Sequence, residues 1–296
     1  MNAYQMFMIE TLTNMHVGSG ETHFGVVDNL IQRHPVTKLP IIHSSGVKGA
    51  LKNNFEDNNF KKEYIKELFG TDINLDTADS NKELDYGPGH LIFFEAQMLT
   101  LPLRASENVY YHSTSVLSLI EYFDQLDNFL NSGDKTKKIR GWLEQLDFKG
   151  KDFLYFNGSN TLEIEDYTNG NKIPLPDDSI VNLLTNLCKI DINKLSIFDK
   201  NVFTNICSDS IPVIARNQIK NDGTSGNLFY EEVLPRKTCL FMVIGYDKYL
   251  LNDKQELNKE SARAFNEKIK DTNTIFQFGA NYSVGYGFSR LSQITI

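Results

Sequence analysis

The sequence predicts an α+β fold: a split βαββαβ, ferredoxin-like sheet carrying a large insertion. Three observations predict it. A strand–helix–strand pattern opens the chain, and a second one closes it. Between them, residues 56–210 hold 15 basic and 26 acidic residues, whereas residues 1–55 hold 4 and 3 and residues 211–296 hold 11 and 9. The formal charge of −8 on 296 residues therefore comes from the middle. The expected division is a sheet domain made of 1–55 and 211–296, with 56–210 inserted and lending it at least one strand, 90–99.

Residues 4–13 (YQMFMIETLT) alternate and read as the first strand. A glycine-dotted loop follows, then a short strand at 39–42. Ser44 or Ser45 is placed to cap a helix that carries Val47, Leu51 and Phe55 on one face. A second helix at 61–69 ends at Gly70. Residues 71–89 are polar and read as a mobile loop. HLIFFEAQML (90–99) is a strand, and 113–130 a Ser-capped helix. Residues 211–219 and 228–234 flank KNDGTSG (220–226) and form a hairpin. Residues 238–246 are a buried strand, 253–270 an amphipathic helix, and 274–278 and 288–296 the closing strands.

Apolar residues make up 41% and charged residues 23%, which suits a globular chain and excludes collagenous or wholly disordered ones. No apolar run reaches membrane-span length, and the start MNAYQMFMIE lacks the features of a signal peptide. Three scattered cysteines fit neither a disulfide framework nor a zinc site, so the cytoplasm is the expected compartment.

The distribution of charge points to a polyanion held by the two ends. Between Asp28 and Glu56 there is no acid, but there are Arg33, Lys38, Lys48 and Lys52, and after Asp271 the only charged side chain is Arg290. Asp28 closes GVVD (25–28). A lone Asp in a loop, flanked by Gly and Asn, is most often a turn former; its functional reading is a carboxylate beside a bound polyanion that positions a divalent ion, Mg2+ or Mn2+. Ser45, Lys48 and Gly49 stand at a helix start, where unpaired N–H groups favour anions. The Ser45–Lys48 spacing also matches SxxK, but the KTG partner motif is absent. His16 is the candidate general base. Arg216 and Tyr230 on the hairpin suit contact with a nucleic acid. Gly279, Gly285 and Gly287 in GANYSVGYG let backbone approach a phosphate near Arg290, without the spacing of a Rossmann or P-loop motif.

Taken in order, HVGSG (16–20), GVVDNLIQR (25–33), the Ser/Lys helix start, FFEAQMLTLPLRA (93–105), LFYEEVLP (228–235) and the late glycine loop resemble the RAMP superfamily of CRISPR proteins. More narrowly, they resemble the repeated backbone subunit of type III-B effector complexes. The resemblance implies an RRM-related palm, an inserted mixed domain and a protruding β-hairpin thumb. It implies copies stacked along a guide CRISPR RNA with other effector subunits, and a complementary target RNA cut at regular intervals by metal-dependent attack of the 2′-hydroxyl. Asp28 is then the cutting, metal-holding carboxylate, with His16, Tyr230 and Glu231 beside it. Ser45, Lys48, Gly49 and Lys52 grip guide phosphates, and the glycine loop closes on the same strand. The family's PGSSLKG runs here as HSSGVKG (43–49), Lys52 replaces the usual Arg, and Tyr286 stands where an Arg is expected. Two other readings stay open: an inactive structural guide-binding subunit, and a metal-independent ribonuclease that processes repeat RNA.

Overall fold

In the computed structural model, which describes residues 3–20, 25–71, 87–221 and 223–295, the chain opens with β1 (Ala3–Thr11), β2 (Ile41–Ile42), α1 (Ser44–Asp57) and α2 (Lys62–Phe69). It continues through β3 (Leu91–Phe93), β4 (Ala96–Arg104), β5 (Tyr110–Ser115) and α3 (Val116–Leu130). The acidic middle adds α4 (Gly133–Glu144), β6 (Phe153–Tyr155), β7 (Gly170–Lys172), α5 (Asp178–Leu187), β8 (Leu195–Phe198) and α6 (Lys200–Asp209). The last third adds β9 (Val213–Ile219), β10 (Ser225–Glu232), β11 (Cys239–Tyr246), α7 (Glu260–Lys270), β12 (Ile275–Gln277) and β13 (Phe288–Ile294).

Among the described residues eleven strands share one mixed sheet, in the order β12-β13-β1-β11-β4-β5-β8-β6-β7, with β2 paired to β4 and β3 to β11. The stretch β13-β1-β11-β4 is antiparallel throughout. Helices cover both faces. Phe7 and Ile9 of β1 pack with α1, α2 and α7 in one apolar cluster, and Met6 and Met8 pack with α3, α4 and α5 in another. Period-2 alternation in a strand sends successive side chains to opposite faces. A strand covered on both faces is therefore apolar at every position, which is why all eight residues of β11 are buried.

Several elements depart from the sequence reading, each for a local reason. The strand expected at 90–99 is two strands, because β3 and β4 pair with successive segments of β11. At the break, Phe94 turns its ring onto Tyr4 and Phe129. Residues 113–115 belong to β5, where Ser113 meets Ser196 of β8 at 2.7 Å, and the helix starts after Ser115, whose hydroxyl caps it by accepting from Ser118 N–H. The N-cap of α1 is His43, not a serine. Pairing of β2 with β4 ends at Ile42, so the chain turns helical after one further residue and leaves Ser44 and Ser45 exposed in the first turn. Helix α7 begins at Glu260 rather than near 253, because the Asn252 side chain accepts from the Lys254 and Glu256 amides and holds a competing turn. Strand β10 starts at Ser225, its register shifting between Ser225 and Asn227. Of the expected loop at 71–89, residues 72–86 lie outside the described residues. Among the described residues no helix is long and apolar enough to cross a membrane.

Among the described residues, strands β9 and β10 form a two-stranded sheet of their own, apart from the main sheet. Val213, Ile219 and Leu228 are exposed along this hairpin, while Glu231 and Glu232 at its base are buried. The base is where the chemistry-bearing residues meet.

Candidate functional site

The segment carrying Asp28 runs parallel to the end of β10, bridging at Asn29 and Glu231. The amides of Asp28 and Asn29 both donate to the Tyr230 carbonyl at 3.1 Å, and Glu232 N–H donates to Asn29 carbonyl at 3.0 Å. The Tyr230 amide returns a bond of 2.8 Å to Asp28 Oδ2. Asp28 is exposed, and no donor reaches its other oxygen among the described residues. One oxygen is thus pinned by the backbone and the other is left to solvent. Tyr230 is 37% exposed beside it, its backbone rather than its ring making these bonds.

The two acids that follow face the other way. Glu231 is only 3% exposed. Asn281 Nδ2 donates to both of its oxygens at 2.9 and 3.0 Å, Arg216 donates at 3.1 Å, and His16 Nε2 lies 3.6 Å away. The Arg216 guanidinium also lies over the rings of Phe229 and Tyr286, 5.7 and 5.5 Å from their centres. Glu231 therefore fastens the hairpin to the glycine loop, and Arg216 directs its charge into the protein. Tyr286, standing where an arginine is expected, supplies that packing surface. His16 is 5% exposed, and its Nδ1–H donates to the Glu232 carbonyl at 2.7 Å. Its ring faces inward, so the position is that of a tether; a general base needs a path to the proton it removes.

Arg33, expected on a phosphate, instead makes a two-pronged pair with Glu232 at 2.8 and 2.9 Å and also donates to the Cys207 carbonyl. Its side chain is 16% exposed. The sequence reading gave no site role to Glu232, Asn281 or Gln32. Gln32 joins two motifs: its Nε2 donates to Gly18 carbonyl at 3.0 Å, and its Oε1 accepts from His43 N–H at 2.8 Å. Through Gln32 the helix start of α1 is tied to the Asp28 segment. Polar side chains spaced this far apart in sequence leave no local signature.

The first turn of α1 has no acidic residue and no side-chain cap, an arrangement whose N–H groups suit an anion. Ser45 is exposed there, with Lys48, Gly49 and Lys52 half-buried along the helix. Lys52 Nζ lies 3.9 Å from Glu56 one turn on. In the late glycine loop, Gly279 and Gly287 have φ near +80°, and an added methyl would overlap the His16 carbonyl oxygen at Gly279 and the Phe278 carbonyl oxygen at Gly287. The loop therefore packs against the His16 segment through bare backbone; Ala280 N–H donates to His16 carbonyl at 2.8 Å. Gly285 also has positive φ but open space around it. Arg290 lies on β13, paired with Glu10 of β1 and exposed.

Among the described residues there is no cluster of three or more His, Cys, Asp or Glu able to hold a metal ion. At the hairpin base the carboxylate oxygen left to solvent is that of Asp28. Such a donor suits a hydrated Mg2+ or Mn2+ that completes its shell with water and phosphate oxygens, and it does not suit an ion bound by protein alone.

The family model described as the RAMP superfamily matches residues 8–290. A relative named CRISPR system Cmr endoribonuclease Cmr4, from Pyrococcus furiosus, is 26% identical over 301 residues, covering 99% of this chain and 96% of that protein. Among solved structures, a chain of the type III-B Cmr-beta complex bound to cognate target RNA superposes with a TM-score of 0.74 at 19% identity, over 98% of this chain and 96% of that one. A chain of oligomeric Cmr4 from Pyrococcus furiosus superposes with a TM-score of 0.65 at 20% identity, over 100% and 99%.

Proposed function

We propose, from the premise that the chain belongs to the RAMP superfamily, that it is the repeated backbone subunit of a type III-B CRISPR ribonucleoprotein, binding guide RNA and cutting the complementary target. The observation that carries the reading is Asp28. It is a solvent-facing carboxylate pinned by the Tyr230 amide at the base of an isolated hairpin, while Glu231 and Glu232 beside it are taken up by internal partners. The relative's name, an endoribonuclease, supports cleavage. Oligomeric Cmr4 and the RNA-bound Cmr-beta complex support further copies of the chain, other effector subunits and target RNA as partners. The reading places the assembly in the cytoplasm.

The antiparallel order β13-β1-β11-β4, with α1 following β1 and α7 following β11, supports a ferredoxin-like palm. In this reading residues 1–55 and 211–296 with strand 90–99 make the palm, 56–210 the insertion, and 211–234 the thumb. Guide phosphates run past the uncapped start of α1, gripped by Ser45, Lys48, Gly49 and Lys52, and under the glycine loop with Arg290. Base pairing supplies specificity, so the protein reads backbone and needs few cations. The thumb's exposed apolar residues interrupt the duplex and splay a nucleotide toward in-line geometry. The 2′-hydroxyl then attacks its own phosphorus, the bond to the 5′ oxygen breaks, and the products are a 2′,3′-cyclic phosphate and a 5′-hydroxyl. Asp28 is the residue that would hold a divalent ion at that phosphate; when bound, the ion supplies positive charge to the developing oxyanion.

The test is target cleavage by the guide-loaded complex, native against Asp28→Ala, each with magnesium and with chelator. Evenly spaced products should fall by at least about 100-fold in the variant and under chelation, with target binding retained. Cleavage indifferent to Asp28 would leave the chain as an inactive scaffold. Cutting of precursor RNA by the isolated chain without metal would instead favour repeat processing.

A further inference from the structure

We infer that Arg33 and Glu232 form a positioning pair that sets where Asp28 stands against the hairpin base. The inference rests on the reading of Asp28 as the cutting carboxylate. Segment 28–33 crosses the base of β10 on a short ladder of bonds. The Asp28 and Asn29 amides reach Tyr230, and the Glu232 amide reaches Asn29. The ladder is closed by Glu232, whose Oε2 accepts from Ile31 N–H at 3.0 Å and whose two oxygens take the Arg33 fork. The guanidinium is itself fixed from behind by the carbonyl of Cys207, at 3.2 and 3.0 Å, and by that of Ile31, at 3.4 Å. One arginine thus joins the Asp28 segment, the hairpin and the end of α6. Both side chains are largely withdrawn from water, at 16% and 7% exposure, so their attraction is weakly screened. The planar fork matches a carboxylate in one orientation only, which an ammonium does not do.

Asp28 gains from this in a specific way. Its side chain accepts from the Tyr230 amide, two residues before Glu232. If Glu232 slides along the segment, the Tyr230 amide moves with it and the carboxylate loses its orientation. Arg33 touches neither RNA nor the reacting atoms in this account; it acts through Asp28.

The experiment uses guide-loaded complexes with two substitutions. Arg33→Lys keeps the charge and loses the fork. The double variant Arg33→Met with Glu232→Gln removes both charges together, so neither is left buried alone, and the introduced amide oxygen still accepts from Ile31 N–H. Three results are expected. Target affinity stays native while the single-turnover cleavage rate falls about 10- to 100-fold in both variants. Amide hydrogen exchange quickens over residues 28–31 and 230–232 and stays unchanged in β1 and β11. In an Asp28→Ala background, Arg33→Lys lowers the residual rate no further. Native-rate cleavage by the double variant, or unchanged exchange at 230–232, overturns the proposal. If Arg33→Lys fails to assemble, the double variant decides. If Asp28→Ala alone cleaves at the native rate, the catalytic reading falls, and the exchange data still decide whether the pair positions the segment.

Discussion

Asp28 and Arg33 are five positions apart and use their charges in opposite ways. The aspartate keeps one oxygen for solvent, while the arginine gives its whole fork to Glu232. The difference is one of neighbours: the Asp28 carboxylate meets a backbone amide, and Arg33 meets a buried carboxylate and a carbonyl. Glycines divide in the same manner. Gly279 has positive φ and no room for a methyl beside the His16 carbonyl, whereas Gly49 sits inside α1 with nothing near its missing Cβ. Gly279→Ala should cost roughly 2 kcal/mol or more in urea denaturation. Gly49→Ala should stabilise by about 0.5–1 kcal/mol, and a fall in guide affinity in that variant would then report crowding of the RNA by the added methyl. A destabilised Gly49→Ala would mean that the helix is not packed as described.

At the scale of elements, the hairpin is the outlier. Most strands feed a covered sheet, but β9 and β10 touch the body through their base, where Glu231, Tyr230 and Glu232 engage the glycine loop, His16 and segment 28–33. A lone two-stranded unit adds little to the stability of a fold. Deleting residues 220–226 should therefore leave the melting temperature unchanged and abolish the even spacing of target cuts. Loss of folding would show that the tip is structural, and unchanged spacing would rule out the hairpin as the proposed thumb. Glu231 and Arg216 should stay ordered in the deletion, since Asn281 and His16, which meet Glu231, lie outside the hairpin.

The whole molecule is organised by one sheet that runs from the chain ends into the acidic middle. Strand β4 pairs with β11 on one side and β5 on the other, and β5 continues through β8 to β6. Such continuity couples the acidic middle of the chain to the strands contributed by its two ends. Trp142, the single tryptophan, stacks on Phe156 in the cluster shared by α3, α4 and α5. Its fluorescence reports the acidic middle, and far-UV circular dichroism reports all of the secondary structure. The two should trace the same denaturant midpoint if the sheet unfolds as a unit. An earlier fluorescence transition would show an acidic middle that melts independently.

Much of this is legible in the chain itself. Apolar runs such as CLFMVIGY announce covered strands, because burial on both faces leaves no position for a polar side chain. The acid-free stretch after Asp28 and the order of motifs point to a polyanion-binding chain with Asp28 at its centre. Boundaries are less legible. The break between β3 and β4 depends on which segment of β11 each one meets, and the start of α7 on a side-chain turn at Asn252. The partners of the charged residues are not legible at all. Glu232 lies 199 positions from Arg33, Asn281 lies 50 from Glu231, and His16 lies 216 from Glu232. Composition and periodicity determine which side chains a strand or helix must bury, because those rules are local. Which of several carboxylates faces solvent and which is neutralised inside the protein is decided by the crossing of distant segments, and only the tertiary structure holds that information.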